Sequence, residues 1–210
     1  MKHPDRPFLV AITGGIASGK TIVSKWFSEH NFSVFDADKI GHALFNKQYF
    51  INKIKDVFGK EIIVNGFVDR AKLGKIIFNS ADKRKQLNDL LHPEIRKKMQ
   101  YIVDASSQNI LIFEISLLFE NGLQKAFDFI INISARNEIR IKRIIERDGI
   151  TEIEAQKRIN SQMSEFDKQN LADINIVNEE DIDELYLQLQ KLILHIRELK
   201  RKDIKKIAEL

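Results

Sequence analysis

Short apolar runs separated by amphipathic segments dominate the chain. The clearest runs cover residues 8–12, 110–115 and 128–133, and their branched and aromatic side chains are typical of buried strands. Two weaker runs lie at residues 33–35 and 174–177. Because helical patterns separate the runs, the alternation predicts an α/β fold with about five parallel strands and helices on both faces of the sheet.

Two longer segments interrupt this alternation. Residues 40–105 contain no clear strand but several helical patterns, including those at 51–58 and 71–78. We interpret this segment as a helical insertion at the sheet edge where ligands bind. Residues 136–171 are charged and helical, which we interpret as a mobile lid. An apolar stripe over residues 182–199 predicts a long final helix that packs on the sheet.

These segments divide the chain into three predicted parts. The core comprises residues 1–39, 106–135 and 172–210, the helical subdomain comprises 40–105, and the lid comprises 136–171. A chain of 210 residues is long enough to bury a substantial core without disulfides or metals.

Composition and charge narrow the function classes. The absence of cysteine excludes disulfides, thiolate metal sites and a thiol nucleophile. The start of the chain is polar and lacks the apolar stretch of a signal peptide, and no apolar run is long enough to span a bilayer. We therefore expect a cytoplasmic protein without membrane contacts. The net charge of +4 is too small to argue for a nucleic-acid partner.

The strongest chemical signal is a glycine-rich loop between the first strand and the helix that follows it. Residues 14–21 read Gly-Gly-Ile-Ala-Ser-Gly-Lys-Thr, a complete G-x-x-x-x-G-K-[ST] phosphate-binding motif. Its backbone N–H groups would surround phosphates, aided by the positive end of the helix. Lys20 would reach the β- and γ-phosphates, and the Thr21 hydroxyl would bind Mg²⁺. The four matched positions and their flanks argue against a chance glycine-rich turn.

Two aspartates follow the second strand candidate. In Phe35-Asp36-Ala37-Asp38 a strand period of two would point both carboxylates to the same side. Either carboxylate could accept a proton from a hydroxyl group that attacks the γ-phosphate. Alternatively, an aspartate at this place caps a helix. The spacing does not decide which aspartate is the base.

Three arginines follow helical spacing in the predicted lid. Arg140, Arg143 and Arg147 fall on one stripe of a helix, from which they would clamp a phosphoryl group in transfer. The alternative is a solvated basic face.

Further polar residues lie near predicted element ends. Leu-His-Pro-Glu-Ile-Arg over residues 91–96 predicts a helix start with Pro93 in the first turn, where His92 either contacts a ligand or caps the helix. Glu114 and Glu120 flank the end of the strand at 110–115. Glu114 is either an acidic partner of Mg²⁺-bound water or a partner of a basic neighbour.

Taken together, these segments resemble the dephospho-coenzyme A kinase family. The matching segments run along nearly the whole chain, at residues 13–21, 35–38, 91–96, 117–120, 143–148, 158–162 and 172–173. The resemblance implies a P-loop kinase fold with a three-layer α/β/α core, a helical coenzyme A-binding subdomain and a helical lid. It also implies that ATP, with Mg²⁺, phosphorylates the ribose 3′-hydroxyl of dephospho-coenzyme A, in a monomer or weak homo-oligomer.

The resemblance also implies roles for individual residues. Asp38 matches the proposed base, and Lys20, Arg143 and Arg147 match the catalytic cations. The implied ATP-binding residues are Gly14, Gly15, Ile16, Ala17, Ser18, Gly19, Lys20, Thr21, Arg143 and Asn178. The implied substrate-binding residues are Thr13, Asp38, His92 and Arg96.

The sequence departs from the family pattern in three places. Ala17 replaces a glycine, and because alanine fits a negative φ we expect little effect. Ser116 stands where the family has proline, and Val-Asn-Glu-Glu over residues 177–180 lacks a glycine but keeps Asn178.

Two other functions are compatible with the loop. A different small-molecule or nucleotide kinase would have the same core. A nucleotide-dependent RNA-binding switch would use the basic C-terminal tail, although that tail is more typical of a solvated helix end.

Overall fold

The computed structural model describes residues 6–179 and 181–210. Its strands and helices follow the chain as β1 (Phe8–Gly14), α1 (Lys20–Glu29), β2 (Ser33–Asp36), α2 (Ala37–Leu44), α3 (Gln48–Phe58), β3 (Ile63–Val64), β4 (Phe67–Val68), α4 (Arg70–Asn79), α5 (Ala81–Ala105), β5 (Ile110–Glu114), β6 (Phe129–Ser134), α6 (Asn137–Asp148), α7 (Glu152–Asn160), α8 (Glu165–Leu171), β7 (Ile174–Val177) and α9 (Ile182–Glu198).

Five parallel strands form the central sheet, in the order β2-β5-β1-β6-β7. The register places Thr13 of β1 opposite Asn132 of β6, and Asp36 of β2 opposite Glu114 of β5. All five predicted strands and their parallel arrangement are confirmed. Because β1 is central and its neighbours come from later in the chain, the crevice at its carboxyl end is where α/β sheets bind ligands.

Apolar side chains are buried on both faces of this sheet. One face packs against α1 and α9 in a core that includes Val10, Ile12, Val23, Phe27, Ile131 and Leu189. On the opposite face, Leu9, Ala11 and Phe113 are also buried. A strand buried on both faces has no solvent side, which explains why the strands read as continuous apolar runs. The long final helix predicted at 182–199 is confirmed as α9.

Residues Ala37–Ile102 form a compact unit of their own. Its core contains Leu44, Phe50, Ile51, Ile54, Ile62, Leu73 and Leu87. The helices predicted at 51–58 and 71–78 are confirmed as α3 and α4. The prediction that this segment lacks strands is wrong, because β3 and β4 pair as an antiparallel hairpin. Asn65 and Gly66 connect them, both at positive φ, as a two-residue hairpin turn requires.

The prediction that a helix starts at residues 91–96 is also wrong. Pro93 lies inside α5, which begins at Ala81 and runs for 25 residues. Leu87 is buried in the core of the Ala37–Ile102 unit, and Leu91 and Ile95 pack against it on either side of the proline. Tertiary packing of this apolar face therefore keeps the helix continuous through a residue that removes one hydrogen bond.

The charged segment 136–171 is helical, as predicted, and contains α6, α7 and α8. Thr151 begins α7 with a capping box that Glu154 completes. Ile144, Ala155 and Ile159 form a small buried cluster in α6 and α7. That the segment moves as a lid stays a prediction. In the described ranges, no helix has the length and apolar character that crossing a membrane requires.

Candidate active site

The predicted phosphate loop occupies the carboxyl end of the central strand. It connects Gly14, the last residue of β1, to Lys20, the first residue of α1. Within the loop, the Ser18 N–H donates to the Gly15 carbonyl at 3.2 Å. Thr13, for which the family resemblance implies a substrate contact, is fully buried just before the loop.

Asn178, which follows β7, holds the loop through a hydrogen bond to its backbone. Its Nδ2 donates to the Ser18 carbonyl at 2.8 Å, and its own N–H donates to the Ser134 carbonyl at 2.8 Å. Gly19 has φ of 103°, and a Cβ there would collide with the Asn178 amide. Glycine is therefore required at position 19 for both conformation and space. Residues 177–180 are the segment in which the sequence departs from the family pattern, and Glu180 of this segment lies outside the described residues.

Lys20 lies against the first residues of the loop. Its Nζ donates to the carbonyls of Gly14 and Gly15, each at 3.0 Å, and the residue is 8 % exposed. The loop carbonyls thus hold the cation close to the backbone groups that would surround a phosphate.

Thr21 and Glu114 meet at the start of α1. The exposed Thr21 donates through Oγ1 to Glu114 Oε1 at 3.2 Å, and Glu114 is 9 % exposed at the end of β5. Asp36 is the register partner of Glu114 on β2. A hydroxyl and carboxylates are the hard oxygen donors that Mg²⁺ prefers, usually together with waters and phosphate oxygens. These residues fit a magnesium ion that also binds a nucleotide.

The expected negative φ at Ala17 is wrong. Ala17 has φ of 60°, in the left-handed region that favours glycine. The Ala17 carbonyl accepts a hydrogen bond from Arg143 Nη1 at 3.3 Å, and its side chain packs against the Ile144 cluster. These contacts hold a backbone conformation that costs an alanine about 1 kcal/mol.

The three arginines of the predicted lid have different partners. Arg143 also donates from Nη2 to the Asn178 carbonyl at 3.1 Å, so it contacts both the loop and its support. Arg147 instead makes a paired hydrogen bond to Asp148, at 2.7 and 2.9 Å, and its side chain is mostly exposed. The hydrogen bond from Arg147 lowers the pKa of the Asp148 carboxyl.

Arg140 is not part of a solvated face. It is 3 % exposed, and its Nε donates to the Ile16 carbonyl at 2.9 Å. Its Nη1 donates to Asn137 and faces Glu165 at 3.5 Å. Burial lowers the pKa of Arg140, and the Glu165 charge opposes this effect. Guanidinium groups stay charged even when buried, so Arg140 brings a fixed cation to the loop.

The sequence reasoning missed Gln162 as a contact of the loop. Its Oε1 accepts the Ile16 N–H at 2.7 Å. The sequence signal for Gln162 was its place at the end of Arg-Ile-Asn-Ser-Gln over residues 158–162, a segment that matches the family but suggested no role for the glutamine.

An ion pair between a buried lysine and a partly exposed glutamate lies near Gln162. Lys168, which is fully buried, pairs with Glu120 Oε1 at 2.9 Å, and the Met163 N–H donates to the same oxygen at 3.0 Å. Burial by itself would raise the pKa of Glu120, but the hydrogen bonds from Lys168 and the backbone lower it.

The prediction that Asp36 and Asp38 share one side of a strand is wrong. Asp36 ends β2, and α2 begins at Ala37, which places Asp38 in the first turn of a helix. A carboxylate is favourable there because it faces the positive end of the helix dipole.

Three of the residues implied to handle substrate lie in the Ala37–Ile102 unit: Asp38, His92 and Arg96. His92 and Arg96 are one helical turn apart on α5. Burial lowers the pKa of His92, and the charge of Arg96 lowers it further. A neutral imidazole at this position is able to donate or accept a hydrogen bond.

Comparison with known proteins gives a consistent result. A family model described as dephospho-CoA kinase matches residues 8–184. A dephospho-CoA kinase of Oceanobacillus iheyensis is 41% identical over 192 residues, covering 88% of this chain and 96% of that protein. The solved structure of TT1252 from Thermus thermophilus has a TM-score of 0.79 at 26% identity, covering 90% of this chain and 97% of that one. The dephospho-CoA kinase structure from Campylobacter jejuni has a TM-score of 0.68 at 29% identity, covering 90% and 96%.

Proposed function

The chain belongs to the dephospho-CoA kinase family, and we propose that it transfers the γ-phosphoryl group of ATP to the ribose 3′-hydroxyl of dephospho-CoA, giving CoA and ADP. The observation that carries the donor half of this proposal is the complete phosphate loop at the carboxyl end of β1, where Thr21 meets a buried acidic residue, Glu114, and the family match supports the acceptor. Residues of the loop, the sheet and the predicted lid all lie within the matched range.

On the donor side, the loop amides and Lys20 would bind the phosphates of ATP. Lys20 is held against the loop carbonyls, so little ordering of its side chain remains for nucleotide binding. Arg143 already contacts the loop at Ala17, and in this proposal its charge stabilises the transferring phosphoryl group. Arg147 would join it by exchanging Asp148 for phosphate oxygens.

Thr21 and Glu114 would hold Mg²⁺ with the nucleotide. When bound there, the ion neutralises charge on the β- and γ-phosphate oxygens. The Thr21 hydroxyl is exposed and thus available as a direct ligand, whereas the nearly buried Glu114 would act through a water.

On the acceptor side, Asp38 would orient the ribose hydroxyl and take its proton. Asp38 follows Asp36 by two residues, and Asp36 ends β2 beside β5 at the carboxyl edge of the sheet. His92, with its lowered pKa, would act as a neutral hydrogen-bonding group, and Arg96 would bind a phosphate of the substrate. The cytoplasmic location, the monomer or weak homo-oligomer, and the lack of a nucleic-acid partner stay predictions.

The acceptor is tested by a panel assay. Purified protein with MgATP is given dephospho-CoA, AMP, GMP or shikimate, and ADP release is measured together with the phosphorylated product. Among the four acceptors, we expect only dephospho-CoA to give rapid ADP release, and its product should be phosphorylated at the 3′ position. Transfer to a different acceptor would identify another small-molecule kinase. Salt-sensitive RNA binding without any transfer would instead support a nucleotide-dependent switch.

A further inference from the structure

Both polar backbone groups of Ile16 are occupied by side chains from the 136–171 segment. The Ile16 N–H donates to Gln162 Oε1 at 2.7 Å, and the Ile16 carbonyl accepts from Arg140 Nε at 2.9 Å. We call this arrangement the Ile16 bracket. Peptide groups in a surface loop usually bond to water, so a residue whose two flanking peptide groups are both held by side chains is strongly restrained.

The Arg140 side of the bracket is rigid. Arg140 is almost fully buried, and its guanidinium occupies the space that a Cβ on Gly15 would need. Glu165 faces this guanidinium and also accepts a hydrogen bond of 2.7 Å from Asn132 Nδ2 on β6. The central sheet therefore fixes the cation that holds the Ile16 carbonyl.

The Gln162 side is fixed as well. Gln162 follows α7, where its N–H donates to the Ile159 carbonyl at 3.2 Å. The next residue, Met163, donates to Glu120, which also pairs with the buried Lys168. The chain on both sides of Gln162 is thus anchored, and its amide is presented to the loop at a defined place.

The bracket adjoins the strained part of the loop. Ala17, the next residue after Ile16, is held in the left-handed conformation without the conformational freedom of glycine. The orientation of the two peptide groups that flank the Ile16 Cα helps to set the direction of the amides that follow. While Gln162 occupies the Ile16 N–H, that amide is not available to a phosphate, and other amides of the loop would bind it.

We propose that Gln162 is a positioning residue for ATP binding, acting with Arg140 through the backbone N–H and carbonyl of Ile16 rather than by touching the nucleotide. It shapes the phosphate loop for its anion and couples the 136–171 segment to nucleotide binding. The inference rests on the proposed function only in that ATP is the loop's ligand, and it does not depend on which acceptor is used.

The test compares Gln162→Met with Gln156→Met in the full-length protein. Met is similar in size to Gln but lacks the acceptor, so Gln162→Met removes this hydrogen bond. Gln156 is half-buried on α7 and its Nε2 donates to Asn160 on the same helix, which makes it a matched control. Calorimetry without an acceptor gives the Kd for MgATP, and NMR gives the hydrogen-exchange rate of the Ile16 amide.

We expect Gln162→Met to speed exchange of the Ile16 amide at least tenfold and to raise the Kd for MgATP about tenfold, with the control unchanged. In the kinetic assay, KM for ATP should rise while KM for the acceptor stays within twofold. Unchanged exchange would overturn the bracket, and faster exchange with an unchanged Kd would overturn the positioning role. A wild-type protein that binds MgATP but fails to phosphorylate dephospho-CoA would contradict the proposed function. It would not affect the test of Gln162, which measures MgATP binding and amide exchange.

Discussion

Thr21 and Glu114 share a hydrogen bond of 3.2 Å that joins the first turn of α1 to the end of β5. The two residues are 93 positions apart in the chain and meet because β5 lies beside β1 in the sheet. Their oxygens are the protein ligands that we propose for a magnesium ion at the start of the helix that follows the phosphate loop.

Glu114→Gln should raise the Mg²⁺ concentration needed for half-maximal activity by about tenfold or more, because residues that orient metal-bound water typically contribute that much to metal affinity. The measurement is a Mg²⁺ titration of ADP release at saturating ATP. Glu29→Gln on α1 is the control, since that carboxylate is exposed and pairs only weakly with Lys25 at 3.6 Å. Equal Mg²⁺ dependence in the two variants would rule out a metal role for Glu114.

Asp38→Asn should reduce kcat by about 10²- to 10⁴-fold, the usual contribution of a general base, with little change in MgATP affinity. The amide keeps the size of the side chain but does not accept the proton of the acceptor hydroxyl. Steady-state kinetics and calorimetry measure the two quantities separately. Asp56→Asn, an exposed position on α3 in the same compact unit, serves as the control. Full turnover in Asp38→Asn would exclude Asp38 as the base.

Ala17→Gly should stabilise the protein by up to about 1 kcal/mol, because glycine adopts a φ of 60° without the Cβ strain of alanine. For a chain of this length that corresponds to roughly 2–4 °C in Tm, measured by calorimetry. The gain is reduced by loss of methyl packing against the Ile144 cluster. Ala43→Gly, exposed within α2, should change stability in the opposite direction because glycine is unfavourable in a helix. Destabilisation by both substitutions would contradict strain at Ala17.

His92 should make stability depend on pH below neutrality. Its folded pKa is lower than its ordinary value of about 6.5, so the unfolded chain binds the proton more tightly. The full contribution is present above pH 6.5 and is lost as the pH falls from there toward the folded pKa. Denaturant unfolding at a series of pH values from about 8 to 5 measures this loss.

In His92→Gln, the loss of stability on acidification should be smaller than in the wild type. His42→Gln, at an exposed position on α2, provides the comparison. If the free energy of unfolding of His92→Gln falls with pH as steeply as that of the wild type, another group causes the acid sensitivity.

Much of the core was predictable because its signals are local. An apolar run that is buried on both sides specifies a parallel strand, and the glycines, Lys20 and Thr21 of the loop act through the backbone of one short segment. Family resemblance added the expected acceptor and the prediction that Asp38 is the base. The Asn65-Gly66 hairpin was also predictable in principle, since this dipeptide is a strong turn signal.

The sequence by itself determined the phosphate loop, the strands and the long final helix, since each depends on neighbouring residues and their spacing. Tertiary structure decided what these elements contact. It carried α5 through Pro93 by packing, imposed a positive φ on Ala17, and brought Gln162 to Ile16 from 146 residues away. No periodicity in a single chain encodes such contacts, because they depend on how separate elements pack rather than on local conformational preference.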